Sequence, residues 1–267
     1  VWAWRQGRIK QISRAVDLML TLLPFENAIY EEHNIPVKFV GHPLADKFSL
    51  VHDQQKAKSI LSDLLQDRQK KYAPSRPLLA CLPGSRGGEI KFIGPVFWES
   101  IALCCQSIKN IQVIVPAANS RCREQIEGQL KQYPSLPITI VDGLSHEVMA
   151  ASDAVLLASG TTALEAMLLK RPMVVAYKMA ALSYYIISTL LQTPYIALPN
   201  LLANKLLVPE LVQGDATVAN ISSSILQAFA NQDKNTQEFT KLHQSIKRNA
   251  DMESAKTIHA LLTGNVI

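Results

Sequence analysis

The sequence has no apolar run approaching the roughly 20 residues that span a bilayer. Its longest, around Ala180 to Leu191, is broken by serines and tyrosines. It has no C-x-x-C pair. The four cysteines are Cys81, Cys104, Cys105 and Cys122, and the adjacent pair is poor bridging geometry, so a reduced compartment is expected. There is no D-x-D pair, no H-x-x-x-H and no clustered Cys/His, so no metal site is expected. A G-x-S-x-G nucleophile elbow is lacking as well. Aromatics are only 6% and the basic residues are scattered, which argues against nucleic acid as a partner. The opening "VWAWRQGRIKQ" has no initiator Met and no signal-peptide order of basic, apolar and small residues. It reads as the middle of a protein, and the expectation is a fragment lacking an upstream domain.

What is present is a chain of 267 residues, 48% hydrophobic, long enough for one large domain or two smaller ones with a sizeable core. Net charge is +5 and the pI is about 9.0, which fits an anionic small ligand or an anionic membrane surface. Apolar runs alternate with helical patterns. Strands are predicted at Leu18–Leu23, Val37–Val40, Pro77–Leu82, Ile111–Val115, Ile138–Val141, Ala154–Leu157 and Met173–Ala176. Helices are predicted at Phe25–His33, Gln54–Leu65, Ile90–Ile108, Arg121–Gln132, Ser145–Ala151 and Thr161–Lys170. Four more follow at Leu182–Leu191, Val208–Gln213, Val218–Asn231 and Thr236–Leu262. Alternating strands and helices imply βαβ units and a parallel sheet, and the near-continuous apolar strands imply a sheet covered on both faces. A domain boundary is expected after Asp46, with the polar loop Gln66–Arg76 as a linker candidate.

In an open parallel sheet, ligands sit beyond the carboxyl ends of the strands. Two polar loops fall there, each before a helix. In "CLPGSRGGEIKF", Gly84, Gly87 and Gly88 permit close backbone approach, Ser85 offers a hydroxyl, and Arg86 offers a fork suited to phosphate or carboxylate. Glu89 fits a ligand contact and a first-turn carboxylate facing the helix dipole equally well. In "ASGTTALE", Ser159 can cap the helix, and the N–H groups of Gly160, Thr161 and Thr162 form an anion site suited to a diphosphate. Glu165 lies one turn further on. Its spacing fits a carboxylate that holds a ribose diol and, about as well, an exposed glutamate of an ordinary helix start. His42, after a strand in "VGHPLAD", fits orienting a substrate or capping a turn. In "IKFIGPVFW", Phe92 and Ile93 fit core packing or contact with lipid and acyl chains.

Taken in order, "VWAWRQGR", "LPFE", "FVGHPLAD", "LPGSRGGEI", "LLASGTTALEAML", "RPMVVAYKM" and "LPNLLA" resemble the lipid-A-disaccharide synthase family of Gram-negative bacteria. The resemblance implies the two-Rossmann-domain architecture called GT-B. Residues 1–46 would be the end of an N-terminal acceptor-side domain, 47–235 a C-terminal UDP-sugar-binding domain, and 236–267 a helix crossing between them. It implies inverting transfer of 2,3-diacylglucosamine from UDP-diacylglucosamine to 2,3-diacylglucosamine 1-phosphate (lipid X). A β-1,6 disaccharide forms and UDP leaves, without a cofactor. By the same resemblance Arg86 and Asn200 are catalytic positions, and Glu165 matches a ribose contact. Gly143 and Leu144 would present backbone to uracil. The enzyme would work in the cytoplasm at the inner-membrane surface, and could form a homodimer with exchanged C-terminal segments. The general base is expected in the N-terminal domain, so this chain alone is expected to bind UDP without turnover. Other readings are a related UDP-N-acetylglucosamine transferase or epimerase, and a non-catalytic UDP-sugar-binding module.

Overall fold

A computed structural model describes residues 6–158, 160–180 and 193–264. The predicted helix Leu182–Leu191 and the side chain of Ser159 lie outside the described residues. The first elements are α1 (Ile9–Ala15), β1 (Met19–Thr21), α2 (Asn27–Glu31), β2 (Val37–Phe39) and α3 (Pro43–Lys47). β1 and β2 pair in parallel with Met19 opposite Val37, over a small core of Ile9, Ile29, Tyr30 and Ile35. His42 caps α3, its Nδ1 accepting from the Leu44 amide at 3.2 Å, so of the two roles open to it the turn cap is the one observed.

The rest is built on α4 (Gln54–Asp67), β3 (Leu78–Leu82), α5 (Gly87–Ser107), β4 (Gln112–Ala117), α6 (Ser120–Leu130), β5 (Ile138–Asp142), α7 (Ser145–Ala151) and β6 (Ala154–Leu157). It continues through α8 (Thr161–Leu168), β7 (Met173–Tyr177), α9 (Leu198–Ala203), β8 (Glu210–Val212), α10 (Val218–Ala230), α11 (Thr236–Ile246) and α12 (Ala250–Leu262). Strands β3 to β8 form one parallel sheet in the order β5-β4-β3-β6-β7-β8. Side-chain alternation along β3 feeds two cores. Leu78 and Ala80 join Leu61, Leu65, Val148, Met149, Leu164 and Phe239 on one face. Leu79 and Cys81 join Phe97, Trp98, Ile101, Ile126, Ile221 and Ile225 on the other. A strand covered on both faces is apolar at nearly every position, and β4 is buried throughout, with Gln112 at its start the one polar residue.

Two helical expectations are corrected. Val208–Gln213 is not a helix: it contains β8, which pairs with β7. Pro209 cannot donate inside a helix, but its carbonyl accepts from the Val175 amide at 3.0 Å. Thr236–Leu262 is two helices, broken where Asn249 takes a left-handed φ of 56°. The polar stretch after α4 is pinned to the sheet, because Gln112 exchanges two bonds of 2.8 Å with the backbone of Ala73.

The break before α12 has a physical cause. Asp46 accepts from the amides of Asn249 and Ala250 at 2.9 and 2.6 Å, filling two of the orphan donors at that helix start. Lys247 Nζ donates to the carbonyls of Ala45 and Asp46. His243 bridges Lys170 Nζ, 2.7 Å away, and the Ala45 carbonyl, 2.8 Å away. Burial lowers the Lys170 ammonium to a pKa of about 8. The C-terminal helices thus grip α3. Asp46→Ala should lower stability by about 1 kcal/mol, as for other lost helix caps. Asp46→Asn should retain most of it. A urea titration reading an unchanged midpoint for Asp46→Ala would contradict this account.

Candidate functional site

Counted along the chain, the six strands lie in the order third, second, first, fourth, fifth, sixth. The direction of winding reverses between β3 and β6, and a crevice opens there because the following helices leave to opposite faces. α5 packs in one core and α8 in the other. A cleft of about 590 Å³ occupies this place. It is lined from β3 by Leu82, Gly84, Ser85, Arg86 and Glu89, from β4 by Pro116–Ala118, from β5 by Gly143 and Ser145, and from β6 by Ala158, Gly160, Thr161, Thr162 and Glu165.

The β3 loop is shaped by Glu89. Its Oε2 accepts from the amides of Ser85 and Arg86 at 3.0 and 3.3 Å, and its Oε1 pairs with Arg86 Nη1 at 3.1 Å. A resident carboxylate therefore already sits where the loop's N–H groups converge. Gly84 has φ +121°, and a side chain there would overlap Glu89, so both dihedral and space require glycine. The Arg86 guanidinium is 82% exposed, so its pairing with Glu89 is weak and exchangeable. Glu89 shapes the loop in addition to sitting in the first turn of α5, a role that neither sequence alternative included.

The β6 loop reaches α8 through Gly160, at φ +134°. No side chain caps this helix among the described residues, and Gly160, Thr161 and Thr162 line the cleft at its start, where the positive end of the dipole lies. Glu165 projects from the second turn with a side chain 17% exposed. Burial raises its pKa, and His146, whose Nε2 is 3.3 Å from Glu165 Oε2, opposes that rise. Ser159 lies outside the described residues. Gly143 lines the cleft at φ +64°, with Leu144 next to it also left-handed at φ 61° but absent from the lining.

Two expected site residues are elsewhere. Asn200 is wholly buried away from the cleft lining, with all four hydrogen-bonding positions occupied by Leu207, Val208 and Glu210. A side chain so engaged has no group left for substrate. Ile93 is wholly buried on the inner side of α5 and is a core residue with no surface for acyl chains. Phe92 is 37% exposed, with Lys91 Nζ 5.6 Å from its ring centroid. The sequence reading missed Pro116–Ala118 and His146. The first was detectable as one more strand end; the second had no local signal. Among the described residues there is no group of three His, Cys, Asp or Glu able to hold a metal, and no helix long and apolar enough to cross a membrane.

The solved structure of a UDP-GlcNAc 2-epimerase from Neisseria meningitidis bound to UDP-GlcNAc is similar to this chain with a TM-score of 0.58 and 15% identity, over 94% of this chain and 62% of that one. An α,α-trehalose 6-phosphate synthase from Burkholderia multivorans gives 0.55 and 10%, over 96% and 62%. These likenesses establish the GT-B type of α/β fold. Lipid-A-disaccharide synthase of Hahella chejuensis is 49% identical over 265 residues, 98% of this chain and 65% of the relative. That of Chromohalobacter salexigens is 46% identical over 266 residues, 98% of this chain and 67% of the relative. The chain thus spans about two thirds of the length of the curated relatives it matches. The LpxB family, described as lipid-A-disaccharide synthetase, matches residues 1–262, and with a match of that extent the chain belongs to that family.

Proposed function

We propose that this chain is the donor-binding part of a glycosyltransferase that moves 2,3-diacylglucosamine from its UDP carrier to the 6-hydroxyl of 2,3-diacylglucosamine 1-phosphate. The products are a β-1,6-linked disaccharide phosphate and UDP. The observation that carries this reading is the meeting, at the reversal of strand order, of an open helix start, a half-buried carboxylate and an arginine loop. The amides of Gly160–Thr162 receive the diphosphate, Glu165 the ribose hydroxyls, and the backbone around Gly143 the uracil. As the glycosidic bond to UDP breaks, negative charge grows on the diphosphate, and Arg86 and the α8 amides meet it there. The base that takes the acceptor's proton is not assigned to a residue of this chain. Asn200 acts from behind, by holding the segment between α9 and β8. The lipid substrates place the enzyme at the cytoplasmic face of the inner membrane, with Phe92 the exposed apolar group nearest the arginine loop in sequence, and a second copy exchanging its C-terminal segment is a further partner in this reading.

Calorimetric titration tests it. Glu165→Ala should weaken UDP by about 10–50-fold, the loss of charged hydrogen bonds worth roughly 1.5–2.3 kcal/mol. Inorganic pyrophosphate, which has no ribose, should be affected less than about twofold. Unchanged UDP affinity would end the ribose assignment, and no UDP binding to the unsubstituted chain would end the reading altogether.

A further inference from the structure

Glu165 has a companion that the proposed function leaves without a task. His146, in the first turn of α7, sets Nε2 3.3 Å from Glu165 Oε2. Its neighbour Ser145 lines the cleft, as Glu165 does, whereas the imidazole is absent from the lining. The ring is held edge-on by Phe48, with centroids 5.3 Å apart and planes at 82°, an arrangement aromatic pairs favour. Phe48 belongs to the short connector between α3 and α4, so the imidazole is fixed from outside the sheet body. Only Oε2 meets the histidine, which leaves Oε1 for a ligand. A diol is held best by a carboxylate that is ionised and cannot turn away.

We propose that His146 is the positioning residue of the ribose site: its protonated imidazole orients the Glu165 carboxylate, so that preference for a ribonucleoside diphosphate falls when the imidazole loses its proton. This rests on reading the cleft as a nucleotide site. Several charged groups on the surrounding elements have partners of their own, while Lys56, Asp63 and Asp67 are further charges on α4. Arg86 pairs with Glu89 on the β3 side of the cleft, Arg123 with Asp142 at the end of β5, and Lys58 of α4 with Asp153. Lys170, beyond the far end of α8, meets His243. His52 meets the Ala150 carbonyl at the other end of α7, at 2.8 Å, and burial lowers its pKa. His52 is therefore the internal control, and Glu147 is the remaining charge on α7 itself.

The test compares UDP with 2′-deoxy-UDP by calorimetry from about pH 5.5 to about pH 8.5, the range in which histidine titrates. Both ligands carry the same diphosphate, whose last proton leaves near pH 6, so the ratio of their affinities cancels that titration. In the unsubstituted chain the preference for UDP should fall about fivefold as pH rises through the histidine range. His146→Gln should give a low preference with no alkaline limb, His146→Arg a high preference with no alkaline limb, and His52→Gln the unsubstituted profile. A preference independent of pH in the unsubstituted chain, or an alkaline limb that survives in His146→Gln, overturns the inference while leaving the nucleotide site standing. Equal affinity for the two ligands at every pH removes the ribose role of Glu165, and this inference falls with it.

Discussion

Asn200→Ala should cost about 3–5 kcal/mol of folding stability, the sum of several buried groups left without partners. Asn200 Nδ2 donates to the Val208 carbonyl at 3.1 Å and to Glu210 Oε2 at 3.0 Å. Its Oδ1 accepts from the amides of Leu207 and Val208, both at 2.9 Å. Glu210 in turn accepts from the amides of Ile196 and Ala197 at 2.6 and 3.0 Å. One side chain therefore joins α9, the turn after it and β8 through bonds with no water to replace them. Alanine orphans the Val208 amide and carbonyl, leaves the Leu207 amide only its bond to the Lys205 carbonyl at 2.9 Å, and strips one bond from a carboxylate. Aspartate should be no better, because it swaps a donor for a charge facing Glu210. A denaturant titration measures the effect, and a loss under about 1 kcal/mol would contradict the account. The expected corollary is that substitutions of Asn200 loosen this bracket, with UDP affinity and stability lost together.

β3, β4, β6 and β7 were legible in the sequence because a strand buried on both faces leaves few polar positions to blur the pattern; β5, half-buried at the sheet edge, was legible from Ile138, Ile140 and Val141. β8 was not, being three residues after a proline with half-buried positions throughout. The break between α11 and α12 was illegible for a different reason. Its cause, Asp46, lies 203 residues before Asn249, and no local window contains both partners. The order of strands in the sheet is likewise a matter of tertiary packing. The resemblance to a family supplied the architecture that periodicity alone left open.

At the cleft, glycines and a polar run at a strand's carboxyl end carried a clear local signal, and the structure gathers Ser85, Arg86, Gly143, Gly160, Thr161, Thr162 and Glu165 around one space. What the sequence could not convey is which side chains act on other side chains. Glu89 folds the arginine loop, and His146 meets Glu165 across a gap of 19 positions. Phe92 and Ile93 are neighbours in sequence on different sides of one helix, so only the register of α5 against the sheet separates the exposed ring from the core residue. Asn200 marks the converse case: a position singled out by resemblance as catalytic is buried away from the cleft lining, bonded to the backbone of Leu207 and Val208 and to Glu210.

In a full-length enzyme of the family carrying out the proposed reaction, the change corresponding to Arg86→Ala should lower the rate of disaccharide formation by about 10²–10³-fold, the scale seen when one preorganised donor to a developing charge is removed. The guanidinium is mostly solvated in the unliganded cleft and tied to Glu89 by a single exposed pair, so it contributes little to folding. Its value appears when a ligand displaces water, because the same charge acts more strongly in a lower dielectric. The diphosphate carries more charge as it departs than while it is esterified to the sugar, so the loss should fall mainly on kcat, with KM for the donor rising less. Arg86→Lys should recover only part of the rate, since an ammonium keeps the charge but not the planar fork. Glu89→Gln provides the internal comparison. It loosens the loop while leaving Arg86 in place, and so should raise KM more than it lowers kcat. Initial rates at saturating and limiting donor separate these outcomes. An effect of Arg86→Ala confined to KM would mean that the arginine holds the bound donor and the departing one equally, and the charge that drives departure would then have to be met by the α8 amides alone.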